Sequence, residues 1–386
     1  MLNVRNAYTD KLDNLNAAVD DILSQLQVDS YKRKHSIVLI TCNSEYIDRG
    51  LLDILAEALP CEIVGITSVA SSSAGGMGIY SCSVTLISSD KIEFSPSYSG
   101  VITEENMDAV IADTYRTASV GRKEKPSMIF VYAPLVNWNI DCAKVVSALD
   151  KVSGGIPAFG SFSIDHTADF SHNRTIYGSE YSWDRVSLVL VYGDINPTFL
   201  VASISDQYIN PNGGIVTKAE GRTIYEVDHE PFVNFLVKSD LIKEGSLDIV
   251  LSPILIDFND GARSVMRNIA NVTEEGYGIM NSEISVGAVL RATEVNATDV
   301  LESAELIFDA VLSVDNAHGM LAYPCASRYA ALGDNAYAGM KTAQNLIGNR
   351  LPYMMSYSGG EICPVVGANG ELVNKLHNST IVACVF

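Results

Sequence analysis

Apolar positions in residues 4–27 recur at alternating steps of four and three: Tyr8, Leu12, Leu15, Val19, Ile22 and Leu26, with Asp, Asn and Gln between them. This spacing predicts one amphipathic helix over 4–27. Its stripe is narrow, so the helix either lies against its own fold or zips to a second copy as a homodimer. Fewer than three heptads is short for a coiled coil. Residues 28–35 are polar and basic and read as a linker.

Beyond residue 34 a pattern repeats three times: an apolar strand, a helix, a strand ending in small residues, and a closing strand. The first copy predicts strand 35–42, helix 48–59 and strands 62–68 and 81–88. In the second, strand 127–132 and helix 141–152 are followed by strands 156–163 and 185–192. The third has strand 319–323, a helical stretch 335–346, and strands 351–358 and 379–386. A strand-helix-strand step favours a crossover within one sheet, while a closing strand reached by a turn pairs antiparallel, so the sheets are expected to be mixed. Between the second and third copies, residues 216–228 read as two strands around the Glu220-Gly221 turn, and 231–239 as a helix. The expected fold is α/β: two mixed-sheet domains, 35–229 and 230–386, preceded by the helix and linker of 1–34.

Composition narrows the function. The chain has 386 residues, 47% of them hydrophobic and 19% charged, enough for packed cores with little sign of disorder. A net charge of −20 repels phosphate backbones and anionic headgroups, so neither nucleic acid nor membrane is expected as a partner. Residues 1–10 mix charge and polarity and lack the apolar core of a signal peptide, and no apolar run is membrane-sized. Seven cysteines, an odd number with no Cys-x-x-Cys pair, look like reduced thiols of a cytoplasmic protein. On that reading the Asn-x-Ser/Thr sequons at Asn173, Asn271, Asn296 and Asn378 are chance matches.

Candidate chemistry concentrates near the C-terminal end. Cys325-Ala-Ser-Arg328 follows one strand, Tyr357-Ser-Gly-Gly-Glu361 follows another, and Asn378-Ser-Thr380 opens the last. If these strands are neighbours, their ends assemble a small-molecule crevice. Arg328 would fork onto a ligand carboxylate, with Ser358 and the backbone of Gly359 and Gly360 adding donors. The plainer reading is that Arg328 and Glu361 pair to brace the turn and the glycines serve backbone geometry.

These motifs resemble the FIST family. Cys325 with Arg328, the run Tyr357-Ser358-Gly359-Gly360-Glu361-Ile362, and His377-Asn378-Ser379-Thr380 match the hallmarks of its C-terminal domain. Val265-Met266-Arg267 and Glu283-Ile284-Ser285-Val286-Gly287 resemble that domain's upstream segment. Gly65-Ile66-Thr67-Ser68, Gly160 with Asp165, and 216–221 through Asp228 are similar to the N-terminal domain, although 69–76 lacks its Gly-Glu turn. The likeness spans 35–386. It implies a cytoplasmic sensory module in signal transduction that binds a small molecule, an amino acid or other small anionic metabolite, and signals through a protein partner. By the same resemblance Cys325, Arg328, Tyr357, Ser358, Gly359, Gly360, Glu361, Asn378 and Thr380, with Arg267, Thr67 and Ser68, are the expected ligand contacts.

Three sharper alternatives compete. A hydrolase or transferase would use Cys325, its thiol activated by Arg328, with His377 arriving in three dimensions; no complete catalytic constellation is visible, and Ser358 is not in a nucleophile elbow. Asp165, His166, Asp169 and His172 are of the types that hold zinc, but at no standard spacing. The same histidines, or His377, are candidates for a haem axial ligand. The expectation is no catalysis and no cofactor.

Overall fold

The apolar runs that mark the repeat do not alternate with polar residues because their strands are covered on both faces. In Ile37-Val38-Leu39-Ile40, the first and third side chains enter one core and the second and fourth another, all fully buried. The computed structural model describes residues 2–135, 139–167, 170–245, 253–259, 264–367 and 369–386.

Three units share one plan. The first comprises β1 (Leu2–Thr9), β2 (His35–Cys42), β3 (Ile63–Thr67), a hairpin of β4 (Ser71–Ser73) and β5 (Gly76–Gly78), and β6 (Cys82–Ser89). The second comprises β7 (Glu93–Tyr98), β8 (Met128–Ala133), β9 (Ala158–Phe162), a hairpin of β10 (Thr175–Tyr177) and β11 (Glu180–Ser182), and β12 (Ser187–Tyr192). The third opens with β13 (Thr198–Ala202) and is then interrupted by another sheet. That sheet contains β14 (Ile209–Glu220), β15 (Thr223–Val227), β16 (Glu230–Pro231), β17 (Pro253–Asp257), β18 (Val265–Val272), β19 (Gly278–Met280) and β20 (Val289–Thr293). The third unit resumes with β21 (Met320–Pro324), β22 (Tyr353–Ser356), the hairpin β23 (Glu361–Val366) and β24 (Leu372–His377), and β25 (Ile381–Val385).

The predicted mixed pairing is present in each unit. β2, β8 and β21 pair parallel with β3, β9 and β22, and antiparallel with β6, β12 and β25. The hairpins, however, are exchanged. β10–β11 dock on β3 of the first unit, β23–β24 on β9 of the second, and β4–β5 on β22 of the third. This closes a ring of three sheets. Strands from both sides of the 229/230 boundary consequently share three of the four sheets among the described residues. Inner faces of the three sheets meet in one core, with Leu39, Phe130 and Leu321 as examples. Their outer faces are covered by Leu15–Leu26 and Leu51–Ala58, by Met107–Ala118 and Cys142–Ser153, and by Ala297–Leu312 and Ala338–Leu346.

The predicted helix over 4–27 needs correction. Residues 2–9 are strand β1, paired with β6 from Leu2 opposite Ser89 to Thr9 opposite Cys82. A full ladder of long-range hydrogen bonds overrides the local helical spacing. The helix starts only after Asn14, whose side chain accepts from Ala17 N at 3.1 Å. Its apolar residues Ala18, Val19, Ile22 and Leu26 are buried against the first sheet, so the stripe is covered within the chain itself.

Gly65 and Gly160 hold equivalent places in β3 and β9. A Cβ on either would meet the carbonyl oxygen of the neighbouring strand, Ile40 or Val131, at 1.8 Å. Backbone cannot rotate aside as a side chain can. Gly160→Ala is therefore expected to lower stability by about 1–3 kcal/mol, the range for overpacking, read as a lower urea midpoint; an unchanged midpoint would refute the close approach.

Candidate functional site

The three units end their third strands, β3, β9 and β22, alike. Thr67, Phe162 and Tyr357 each donate a backbone N–H to the neighbouring unit's hairpin segment: to Arg174 O at 2.9 Å, Gly360 O at 2.9 Å and Ala70 O at 3.1 Å. The next residue is a serine every time. Ser68, Ser163 and Ser358 donate their N–H groups to Cys42 O, Ala133 O and Pro324 O, at 2.9, 2.8 and 2.9 Å. These bonds place the small-residue strand ends in one ring.

The serine side chains then diverge. Ser68 Oγ donates to Tyr357 O at 2.7 Å, Ser163 Oγ to Asn173 Oδ1 at 2.7 Å, and Ser358 Oγ to Glu361 Oε1 at 3.0 Å. Glu361 is fully buried and also accepts from Thr380 Oγ1 at 2.8 Å. Burial outweighs these hydroxyl donors and pushes its carboxyl up to about 8. Gly360 lets the chain reach Glu361 with a φ of +152°, a conformation L residues rarely adopt.

Cys325 sits beside Ser358 in an isolated parallel bridge, and its N–H donates to Thr380 O at 2.9 Å. Burial, then the nearby Glu361, pushes its thiol up to about 12. Such a sulfur stays protonated near neutrality and is a poor nucleophile.

Arg328 corrects an expectation. Although one helical turn from Cys325, it points behind the site, donating from Nη2 to Val300 O at 2.7 Å and to Ser303 Oγ at 2.6 Å. It makes no ion pair within 4.0 Å among the described residues, and burial pulls its pKa down. The simple Arg328–Glu361 brace is therefore absent as well. Arg267 is also structural: it donates to Ser282 Oγ, Met266 O and Leu376 O, tying β18 to β24. Burial brings it down to about 10.

A cavity of about 590 Å³ opens in front of this cluster. Cys325, Ala326, Ser327, Ser358 and Gly359 form one wall, Ile164, Asp165, His166 and Thr167 another, and Asn268, Ile269, Ala270 and Asn281 of the inserted sheet a third. Val69, Ile79, Tyr80, Phe170, Tyr329 and Ala330 complete the lining. Of the expected contacts, Cys325, Ser358 and Gly359 reach it. Tyr357, Gly360, Glu361, Asn378, Thr67, Ser68, Arg267 and Arg328 do not line it, while Thr380 borders a separate hollow of about 420 Å³ with Lys375 and His377. A more open depression of about 720 Å³ between 207–211 and 292–295 contains none of these residues.

Sequence reasoning missed Asn268, Asn281, Tyr80 and Tyr329, which carried no local motif. It had flagged Asp165 and His166, but for metal. Asp165 instead holds Thr167, His166 Nδ1 lies 3.3 Å from Asn43 Nδ2, and His172 pairs with Asp48 at 3.7 Å; Asp169 lies outside the described residues. Among the described residues no group of three or more His, Cys, Asp or Glu could hold a metal ion. His377 Nε2 is 3.0 Å from Cys363 O, and burial pulls the ring down to about 4. All seven cysteines are free. No helix among the described residues is long and apolar enough to cross a membrane.

Fold and site together define a mixed α/β protein in which exchanged hairpins gather strand ends around one hollow. Models of the FIST N domain and the FIST C domain match residues 36–230 and 235–364. The chain belongs to the FIST family. Comparison with curated proteins returns no significant match. Among solved structures it is similar to a cyanuric acid hydrolase described as an evolutionary innovation by structural concatenation. The identity is 8% and the TM-score 0.37, covering 100% of this chain and 98% of that one. Another is a cyanuric acid hydrolase from A. caulinodans, at 9% identity and TM-score 0.37, covering 100% and 99%. Likeness at this level carries no argument about chemistry.

Proposed function

We propose that this protein binds a small molecule in the 590 Å³ cavity and acts as a cytoplasmic sensor, passing the signal to a protein partner without turning the ligand over. One observation carries the reading. The cavity is walled by all three units and the inserted sheet, four parts of the fold that a bound molecule would bridge. A ligand favouring one arrangement of these walls shifts the population toward it, which is what a sensor requires. Its volume falls within the roughly 300–1,000 Å³ common for small-molecule sites. Membership of a family read as sensory supports the same conclusion.

A thermal-shift screen against a metabolite library tests it. A ligand at about 100 times its Kd should add about 2.7 kcal/mol of stability. Ala326→Trp, which fills the cavity from one wall, should abolish that shift while leaving the unliganded protein folded. A blank screen, or a shift that survives Ala326→Trp, would overturn the assignment. Turnover abolished by Cys325→Ser would instead establish an enzyme, against the buried and protonated state of that thiol.

A further inference from the structure

We infer that the molecule this cavity takes carries a protonated primary amine, held between Asp165 and Asn281 and faced by aromatic rings; the inference rests on the binding role proposed above. Asp165 is fully buried on the cavity wall. Its Oδ1 accepts from Thr167 N at 2.6 Å and from the Thr167 hydroxyl, whereas Oδ2 has no hydrogen-bond partner among the described residues. Asn281, 1% exposed and on the same cavity, donates from Nδ2 to Asn378 Oδ1 at 2.6 Å and leaves its own Oδ1 without a partner among the described residues. Two buried acceptors without donors are costly, and a carboxylate oxygen more so than a carbonyl.

The missing group must therefore donate. A primary ammonium supplies three N–H donors and a positive charge. The wall does not supply them itself: no lysine or arginine lines the cavity among the described residues. His166, the one basic side chain there, lies with its Nδ1 beside Asn43 and its ring edge-on to Tyr80, centroids 5.6 Å apart. Ser327 and Ser358 are already paired with Ser379 and Glu361. Tyr80, Phe170 and Tyr329 add aromatic rings of the kind that attract organic cations. A net charge of −20 further concentrates cations near the surface. An anionic ligand would find an unpaired carboxylate and no counter-charge.

The test has two arms. First, the metabolites that stabilise the protein in the screen are sorted by charge; amines are expected among them and simple carboxylates absent. Second, calorimetry compares benzylammonium, benzyl alcohol and benzoate, which differ mainly in the charge of one group. Benzylammonium is expected to bind about tenfold tighter than benzyl alcohol, with benzoate weakest. Asp165→Asn should remove that tenfold advantage, an effect in the range for losing a desolvated charge partner. Because Asp165 also holds Thr167, Tyr80→Leu at the half-exposed rim serves as a second variant. It should reduce the amine's advantage over benzyl alcohol about threefold. Benzoate binding as tightly as the amine, or a cation preference that survives Asp165→Asn, would overturn the inference. Anionic metabolites stabilising the protein through the cavity would sink the charge assignment alone; no metabolite of any charge doing so would sink the binding role itself.

Discussion

Arg328→Ala is expected to destabilise the protein by about 3–5 kcal/mol without specifically weakening a ligand, the range for removing one member of a buried polar arrangement and leaving a void. The guanidinium is 1% exposed, and its Nη2 satisfies Val300 O and Ser303 Oγ. Alanine would leave the carbonyl without its donor and open space as large as an arginine side chain. Yet the charge itself is poorly compensated: Nη1 has no partner among the described residues, and Tyr357, Asp299 and Glu361 act on it only at a distance. Arg328→Met, which fills most of the volume without the charge but gives up the same two hydrogen bonds, is accordingly expected to lose much less stability than the alanine variant. Urea denaturation of both variants decides this. An alanine variant as stable as the parent, or a methionine variant that folds normally but loses the ligand, would return Arg328 to the binding site.

The second large effect concerns Glu361 and pH. Its carboxyl sits at about 8 in the fold against 4.5 for an ordinary glutamate, because burial outweighs the Ser358, Thr380 and Cys325 side chains and the distant Arg328 charge. Between those values the folded protein keeps a proton that the unfolded chain releases, so raising the pH favours unfolding by about 1.4 kcal/mol per unit, roughly 5 kcal/mol across the window. His377, opposite Glu361 across β23 and β24, acts in the other direction. Its folded value of about 4 lies below the usual 6.5, so stability is lost as the pH falls through that interval. The two slopes offset one another between 4.5 and 6.5. Above 6.5 Glu361 is left alone, and the urea midpoint should fall by an amount equivalent to about 2 kcal/mol on going to pH 8. Glu361→Gln should flatten that decline. A midpoint that holds steady or rises in the unmodified protein would show that Glu361 is ionised when folded.

Much of the architecture could be read because it is local. Runs such as 37–42 and 128–133 could only be strands buried on both faces, and a helix between two such strands forces a parallel crossover. The Ser-rich strand ends were visible too, and Ser68, Ser163 and Ser358 proved to be equivalent positions. The first helix misled because Tyr8 lies at helical spacing from Leu12 while its backbone is held by β6. Spacing describes one segment's preference, and the ladder depends on a partner 73 to 87 residues away.

The site was legible in part. Cys325, Ser358 and Gly359 reach the cavity because strand order alone brings their strand ends together. Arg328 does not, since which way a helical side chain turns depends on what Val300 and Ser303 offer it. Asp165 and Asn281 face one hollow only because the inserted sheet folds back onto the second unit.

The sequence by itself determined the repeated strand-helix-strand units, their mixed pairing and the kinship they reveal, because these follow from residue periodicity and chain connectivity. Only the tertiary structure decided the hairpin exchange, the burial of Arg328 and Glu361, and which polar groups border the cavity. Those are set by contacts between distant segments, where shape and desolvation outweigh any preference written within a single stretch of chain.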